Sequence, residues 1–344
     1  MTNLVFDHVA SLEQLSPAEA VSAAVAAQRH GFDGTFVSDR FQPWLPTQGN
    51  ASFAWTVAGA LGAQTAGGVT VAAVAGYRMH AAAVAQASAT TSHLFPGRHT
   101  LVLSAGNAID EHVVGGYWPE SHERMSRMLE SAELIRKLFH TGARGADTRY
   151  EGRSTRMESA RLWTAPQSPP QTLVWAGGPV TARRASRVAD GFVASAGPSE
   201  RMTALIRAAR DGAREAGKTP ESVTAAAYVQ IAWAPEENDA LRGVLTDWPM
   251  SGLQFPGGDI RSPFDVARLA RHVTVDDIRA RMPVTADPAV ITAELRRLAG
   301  LGFRRFFVHN VLRDQRDWAA VFAAAIRPGV VDQASRGSDG EEGS

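Results

Sequence analysis

The sequence predicts a single (β/α)8 barrel over residues 1–330, and three observations lead to it. About eight short apolar segments have strand character, and a helical or long connecting segment follows each. A unit of helix, glycine, aromatic residue and short apolar strand also recurs along the chain. Repeated units of this kind are typical of a parallel sheet built from βα repeats. A chain of 344 residues, read as one domain, favours a closed barrel over an open doubly wound sheet.

The first strand is predicted in the apolar run 4–10 and the first helix begins at Ser16. Ser16 has the side chain of an N-cap, Pro17 suits the first helical position, and Glu19 completes a capping box. Gly31 ends this helix, because glycine tolerates the left-handed backbone of a C-cap. The other strands are predicted at 35–38, 69–74, 100–104, 173–176, within 188–195, at 225–232 and at 306–308, and the other helices at 80–93, 121–140, 179–189, 199–217 and 288–299.

Three regions depart from the repeat. Residues 145–170 resemble an inserted hairpin and loop, and residues 243–275 combine weak periodicity with several prolines and glycines. Insertions after barrel strands usually shape the substrate mouth at the C-terminal ends of the strands. The tail 331–344 is rich in serine, glycine and glutamate, which predicts disorder.

Composition excludes several classes of function. Lys plus Arg and Asp plus Glu are both 35, so the net charge of +0 does not indicate a nucleic-acid partner. The chain has no cysteine, which excludes disulfides, thiolate nucleophiles and cysteine-ligated metals. No His-Glu-x-x-His spacing indicates another metal site. No apolar run approaches the ~20 residues that a membrane helix needs. The N-terminus lacks signal-peptide character, so we expect a cytoplasmic protein.

Charged and aromatic residues follow the strand at 35–38. Asp39, Arg40 and Trp44 come directly after it, where α/β folds place their chemistry. The alternative is structural: Asp39 and Arg40 form an ion pair that closes the strand, and Trp44 packs in the loop. The local sequence supports the two interpretations about equally.

The segment 38–44, Ser-Asp-Arg-Phe-Gln-Pro-Trp, resembles the Ser-Asp-His-Phe-Gln-Pro-Trp signature of glucose-6-phosphate dehydrogenases that depend on the deazaflavin coenzyme F420. These enzymes belong to the bacterial luciferase superfamily. The resemblance covers about residues 4–325 and is weakest at 243–275. It implies a luciferase-like TIM barrel that binds F420 with Asp39 and Trp44 at the ring. It also implies hydride transfer to or from a small-molecule substrate, and a homodimer.

A second motif follows the strand at 173–176. Ala176, Gly177, Gly178 and Pro179 open a helix, where free amides and close backbone approach suit a phosphate; a tight βα turn is the alternative. The segment resembles the family's Ala-Gly-Gly-Pro, which contacts the phosphate of the coenzyme. The resemblance also implies a non-proline cis peptide near 71–73, and hence cofactor contacts by Val71 and Ala72.

The acid–base positions differ from the family. The family's histidine, its proposed base, is Arg40 here, and an arginine stays protonated. The family's glutamate after the fourth strand is Asn107, next to Gly106, and an amide exchanges no proton. Asn107 can still orient the ring, and Arg40 can bind or polarise a substrate. Glu13 matches a family glutamate and is the remaining candidate for a proton shuttle; a loop carboxylate in a capping arrangement is the alternative.

The family's phosphate pocket is largely lost. Pro198 stands where the family has a lysine, 254–263 lacks a Lys-His pair, and only Arg281 matches a basic substrate-binding position. We therefore expect an F420-dependent oxidoreductase that is not specific for glucose 6-phosphate. Its substrate would be an imine, an enone or a modified sugar, and redox-neutral epimerisation is also open. The alternatives are an FMN-dependent monooxygenase on the same fold and a non-catalytic cofactor-binding barrel.

Overall fold

The computed structural model describes residues 4–253, 257–315 and 317–331. The strands are β1 Val5–Val9, β2 Gly34–Ser38, β3 Gly68–Val74, β4 His99–Ser104, β5 Thr148–Glu151, β6 Arg156–Ala160, β7 Gln171–Trp175, β8 Gly191–Ser195, β9 Thr224–Trp233, β10 Val284–Thr285 and β11 Arg305–Asn310. The helices are α1 Pro17–Arg29, α2 Ala54–Gln64, α3 Ala81–Leu94, α4 Ala108–Glu111, α5 Ser121–Ala143, α6 Pro179–Val188, α7 Ser199–Glu215, α8 Glu237–Asp247, α9 Pro263–Ala270, α10 Val275–Arg279, α11 Pro288–Leu301 and α12 Trp318–Val321.

Eight of these strands form a closed parallel barrel. Its order is β1, β2, β3, β4, β7, β8, β9 and β11, and β11 pairs again with β1. All eight predicted barrel strands are therefore confirmed. Because the strands are parallel, their C-terminal ends meet at one rim, which we call the mouth, and their N-terminal ends meet at the opposite rim, the floor.

Side chains alternate between two sides of the barrel wall. A small apolar cluster that includes Phe36, Leu173, Val193 and Phe307 fills the interior. Two larger clusters lie between the strands and the surrounding helices. The interior is thus a packed core whose open end is the mouth.

The first helix follows its sequence signals closely. Ser16 Oγ accepts from the Glu19 amide at 3.4 Å, and the Glu19 carboxylate accepts from the Ser16 amide at 2.8 Å. α1 ends at Arg29, two residues before Gly31, whose φ is +91°. The predicted helices in the other barrel repeats are also present, and their ends agree within about three residues.

The two insertions take different places. The predicted hairpin is β5 and β6, and it lies along α5: Lys137 Nζ donates to Arg149 O at 3.0 Å and Tyr150 Oη donates to Glu133 at 3.2 Å. The region after β9 instead folds into short helices that pack at the mouth. There Trp248 meets the ring of His309 edge-on at a centroid distance of 4.9 Å.

Two predictions about the backbone need correction or stay open. The described residues contain no cis peptide bond, so the cis peptide predicted near 71–73 is wrong; that segment keeps a regular parallel ladder with both neighbouring strands. Of the tail 331–344, only Val331 is described, at the end of a helix, and the rest lies outside the described residues. Within the described chain, no helix is long and apolar enough to span a membrane.

Candidate active site

Four carboxylates and two guanidiniums meet at the mouth. They come from the segments after β1, β2, β3 and β4, and we call them the acidic network. Its members are Glu13, Asp39, Arg40, Arg78, Asp110 and Glu111. The side chains are no more than 11% exposed, so the charges are largely removed from water.

Arg40 is the centre of one half of the network. Its Nε lies 3.3 Å from Glu13 Oε1, and one terminal nitrogen lies 3.0 Å from Asp110 Oδ2. The indole of Trp44 covers the guanidinium, with the carbon of the guanidinium 4.0 Å from the ring centroid. Ser11 Oγ donates to the second oxygen of Glu13 at 3.0 Å. Arg40 is therefore held between two acids under an aromatic face.

Arg78 is the centre of the other half. It binds Asp39 Oδ2 at 2.9 Å with a terminal nitrogen and Glu111 Oε1 at 3.1 Å with Nε. Its backbone amide also donates to the second oxygen of Glu111 at 3.1 Å. Asp39 and Arg40 therefore do not pair with each other. The predicted ion pair that closes the strand is wrong, because each of the two residues finds a partner from another strand.

Asp110 connects the network to the backbone of the segment after β2. Its Oδ1 accepts from the amides of Phe41 at 3.0 Å and Gln42 at 3.3 Å, while Oδ2 faces Arg40. Gln42 Nε2 in turn donates to Ile109 O at 2.6 Å. These bonds fix the 38–44 segment against α4, so that Trp44 and Arg40 have defined positions.

Burial has the largest effect on the pKa values of the carboxyl groups in this site. It raises the pKa of Glu13, and the charge of Arg40 offsets the effect only in part. Burial likewise raises the pKa values of Asp39 and Glu111 against the lowering effect of Arg78. Burial lowers the pKa of Arg78, but the charges of Glu111 and Asp39 outweigh it and the net direction is upward. Carboxyls shifted in this direction can hold or exchange protons nearer to neutral pH.

Gly106 brings α4 close to the network. Its φ is +79°, and a Cβ at this position would lie 3.0 Å from Val74 Cγ1 and 3.2 Å from Glu111 Cγ. Only glycine combines this backbone with this approach. The following residue, Asn107, is the N-cap of α4, and its carbonyl accepts from the Asp110 and Glu111 amides, both at 3.1 Å. Asn107 thus lies at the mouth beside the two acids.

The insertion after β9 encloses this side of the mouth. Gln42 Nε2 donates to Arg261 O at 3.3 Å, and Trp44 packs against residues of the insertion. Asp259 binds Arg124 at 2.8 Å and accepts from the Trp118 indole at 2.9 Å. The prediction that residues 243–275 shape the mouth is supported by these contacts for the described part of that region; residues 254–256 lie outside the described residues.

The predicted phosphate motif starts α6 at the same rim. Gly178 is the N-cap of this ten-residue helix and Pro179 its first residue. Apart from the chain neighbours, no atom of the described residues lies within 4 Å of a Cβ placed on Gly177 or Gly178, so the backbone faces open space. Arg201 donates to Gly177 O at 3.3 Å and to Ser195 O at 2.9 Å. Burial lowers its pKa, and among the described residues its guanidinium bonds backbone carbonyls and has no carboxylate partner.

Three other residues predicted to bind cofactor or substrate are not members of the acidic network. Val71 is fully buried on the helix side of β3, whereas Ala72 faces the barrel interior; both precede the mouth end of that strand. Arg281 is exposed in the turn before β10, and no ion pair within the described ranges involves it. Their predicted roles toward cofactor or substrate remain predictions.

Sequence reasoning missed part of this site. It assigned no role to Arg78, Asp110, Glu111 or Arg201, which complete the charges at the mouth. Asp110 and Glu111 follow Asn107 directly, so their position after a barrel strand was a usable signal. Arg78 and Arg201 had none, because their partners are set by neighbouring strands rather than by neighbouring residues.

The comparisons with known proteins agree with this geometry. Residues 2–305 match the family described as luciferase-like monooxygenase. An F420-dependent glucose-6-phosphate dehydrogenase of Nakamurella multipartita is 32% identical over 94% of this chain and 95% of its own. The enzyme of the same name from Segniliparus rotundus is 34% identical over 93% and 96%.

Solved structures give the same fold. An F420-dependent secondary alcohol dehydrogenase in complex with an F420-acetone adduct superposes with a TM-score of 0.88 at 26% identity, covering 95% of this chain and 99% of its own. The F420-dependent tetrahydromethanopterin reductase of Methanopyrus kandleri, at 15% identity, superposes with a TM-score of 0.74 over 95% and 99%, which bears on the fold alone.

Proposed function

The chain belongs to the luciferase-like monooxygenase family, and we propose that within it this protein is an F420-dependent oxidoreductase acting on a small-molecule carbonyl or imine compound. The observation that carries the proposal is the mouth itself, where the Trp44–Arg40–Glu13 arrangement and the open Gly177–Gly178 turn share one rim. Relatives over 30% identical along nearly their whole length are named as F420-dependent enzymes.

The start of α6 fits the phosphate of such a cofactor. The helix has ten residues, its N-terminal amides are free of side-chain caps, and the two glycines leave the approach open. Arg201 adds an uncompensated cation, held by backbone carbonyls beside Gly177. When bound, the deazaflavin would supply or accept the hydride, and the protein would supply orientation and electrostatics.

The charges at the mouth argue against a sugar phosphate. Pro198 is exposed where the dehydrogenases have a lysine, and Arg281 shows no contact with the acidic network. In the insertion, Asp259 places a carboxylate near Trp118 and Arg124. The acidic network itself has more carboxylates than guanidiniums, which repels a phosphorylated substrate. A ketone, an enone, an imine or an unphosphorylated sugar fits this field better.

The direction we propose is reduction of the substrate. Removing a proton from an alcohol needs a free base, and Arg40 and Asn107 cannot act as one. Glu13 carries the proton-shuttle role of the sequence prediction, but Arg40 and Ser11 engage both of its oxygens. Arg40 stays protonated and instead suits polarising a substrate oxygen that becomes negative.

The first test is a titration of the purified protein with F420 and with FMN, read by tryptophan fluorescence. We expect micromolar or tighter binding of F420 and none of FMN. Reduced F420 is then mixed with a panel of ketones, enones and cyclic imines, and oxidised F420 with glucose 6-phosphate. Preference for FMN would move the protein to the monooxygenases, and reaction with glucose 6-phosphate alone would exclude the reductase.

A pair of arginines on α7 tests the phosphate site. Arg201→Gln removes the cation beside Gly177, and we expect F420 to bind about tenfold more weakly, the equivalent of ~1.4 kcal/mol. Arg207→Gln is the matched control, because Arg207 is exposed on the same helix. If both variants bound F420 as tightly as the parent protein does, the phosphate of F420 would not bind beside Arg201.

We further propose a cytoplasmic location, as expected from the sequence. We also propose a homodimer, which rests on the family resemblance alone, since many members of the family are dimers. Light scattering coupled to size-exclusion chromatography measures the mass in solution, and a mass near the 36.7 kDa of one chain would contradict the dimer.

A further inference from the structure

One polar pair inside the barrel has no part in the acidic network. Tyr228 lies in the middle of β9, and its ring packs in the interior with centroids 5.5 Å from Phe36 and 5.2 Å from Trp175. Although these are interior positions, the side chains of Tyr228 and Trp175 are partly exposed. In a closed barrel, that exposure comes from the open space at the mouth. The phenol therefore borders the place where a substrate would bind.

The phenol has a buried partner. Tyr228 Oη lies 2.9 Å from Nδ1 of His309, a residue of β11 that is 1% exposed. Nε2 of His309 has no hydrogen-bond partner within the described ranges, and the edge of Trp248 closes over the ring. Burial lowers the pKa of His309 to about 3, so the imidazole is neutral and carries one proton.

The position of that proton follows from the cost of burial. With the proton on Nε2, a buried N–H would lack an acceptor, which is the less favourable arrangement. With the proton on Nδ1, His309 donates to the oxygen of Tyr228. The hydroxyl hydrogen of Tyr228 is then free to point into the mouth. His309 would also stabilise the phenolate that remains after proton transfer.

The charges around Tyr228 keep it protonated at rest. Burial raises the pKa of the phenol, the carboxylate of Glu13 raises it further, and Arg40 lowers it. A neutral phenol is a proton donor and not a base. This fits reduction, where the substrate oxygen gains a proton.

We propose that Tyr228 is the catalytic proton donor of the reaction and that His309 is the residue that positions it; this rests on the proposed F420-dependent reduction. In the step, the carbonyl carbon gains a hydride from the reduced cofactor and the carbonyl π bond breaks. The oxygen forms a bond to the proton released from Tyr228, which leaves a phenolate that regains a proton from water. The product is an alcohol, and the cofactor is the two-electron reductant.

The central variant is Tyr228→Phe, which keeps the ring and removes only the hydroxyl. We expect F420 affinity within twofold of the parent protein and single-turnover reduction of the best carbonyl substrate of the panel slower by at least about 100-fold. Tyr150→Phe is the control, because Tyr150 lies on the β5–β6 hairpin and bonds Glu133. Reduction at the parent rate in Tyr228→Phe would overturn the proposal and leave the proposed function standing. Absence of F420 binding by the parent protein would overturn both.

A second measurement needs neither cofactor nor turnover. In the unloaded protein, 15N spectra of the histidine rings, assigned with His309→Asn, report which nitrogen of His309 carries the proton. We expect Nδ1 to be protonated and Nε2 to be bare. A proton on Nε2 would mean that the phenol donates to His309 and is not available to the substrate, which contradicts the proposal even where Tyr228→Phe is slow for other reasons.

Discussion

The barrel has buried charges at both ends, and the two sets are built differently. At the floor, Arg305 pairs with Asp7 at 2.7 Å and donates to Thr70 Oγ1 and Thr100 Oγ1, each at 2.9 Å, and to Gln171 Oε1 at 3.3 Å. One cation thus meets one anion, and neutral acceptors take the remaining guanidinium protons. Such a group connects five strands and leaves no net charge for a ligand to bind.

At the mouth, anions and cations are not equal in number. Four carboxylates share Arg40 and Arg78, and the pKa values of Glu13, Asp39 and Glu111 are raised by burial. Tyr228 and His309 add a polar pair that borders open space. An excess of buried carboxyl groups over cations is costly for stability, and such groups occur where chemistry is done. We therefore infer that the floor serves the fold and that the mouth serves the proposed reaction.

The largest expected effect comes from breaking the pair at the floor. Arg305→Met leaves Asp7 buried without its cation, and removal of one partner of a buried pair costs about 3–5 kcal/mol. We expect that loss in the free energy of unfolding, measured with urea, and F420 affinity within twofold for the molecules that remain folded. Arg207→Met, an exposed change, is the control. If Arg305→Met were as stable as the parent protein but failed to bind F420, the proposal that the floor serves stability and the mouth serves binding would be wrong.

A smaller effect is expected from tightening the mouth. Gly106→Ala adds a methyl group that presses on Val74 and on Glu111, the partner of Arg78. Gly115→Ala is a matched control, because its φ of +74° imposes the same backbone strain but nothing lies within 4 Å. Overpacking costs about 1–3 kcal/mol, so we expect Gly106→Ala to be less stable than Gly115→Ala by that amount. We also expect only Gly106→Ala to slow turnover. Equal unfolding free energies would show that the contact is not tight.

The smallest effect on stability is expected where carboxylates are in excess. Glu13→Gln leaves Arg40 its partner Asp110, so we expect the free energy of unfolding at pH 7 to change by less than about 1 kcal/mol. Turnover should change more than stability does. A loss above about 3 kcal/mol would mean that Glu13 is as essential to the fold as Asp7.

The pH dependence of Glu13→Gln gives a sign as well as a size. Because burial raises the pKa of Glu13 above its ordinary 4.5, the folded protein holds a proton that the unfolded chain has lost. The contribution of Glu13 to the free energy of unfolding therefore falls as the pH rises from 4.5 to its raised pKa. The variant cannot titrate there, so its stability relative to the parent should increase with pH between 4.5 and the raised pKa. Urea denaturation at several pH values measures it, with Glu237→Gln as an exposed control.

Much of the fold could be predicted because its signals are local. The capping box of α1, the glycines after helices and the short apolar strands each act over a few residues. α2 was missed because it contains Gly59 and Gly62 and lacks a side-chain cap. A Cβ on Gly62 would overlap the ring of Phe95, so this glycine allows α2 to pack closely against a residue distant in sequence. The short helices after β9 were missed for a related reason, since their contacts with the mouth stabilise them.

The sequence by itself determined the barrel, the position of the mouth, and the presence there of Glu13, Asp39, Arg40, Trp44, Gly106, Asn107 and the Gly177–Gly178 turn. Only the tertiary structure decided the pairing. Asp39 pairs with Arg78 and not with its sequence neighbour Arg40. Arg40 pairs with Glu13 and Asp110. Tyr228 forms a hydrogen bond with His309. The physical reason is that ion pairs form between side chains that meet in space. The segments after neighbouring strands come together at the mouth when the barrel closes, so charges that are distant in sequence meet there and sequence neighbours need not pair.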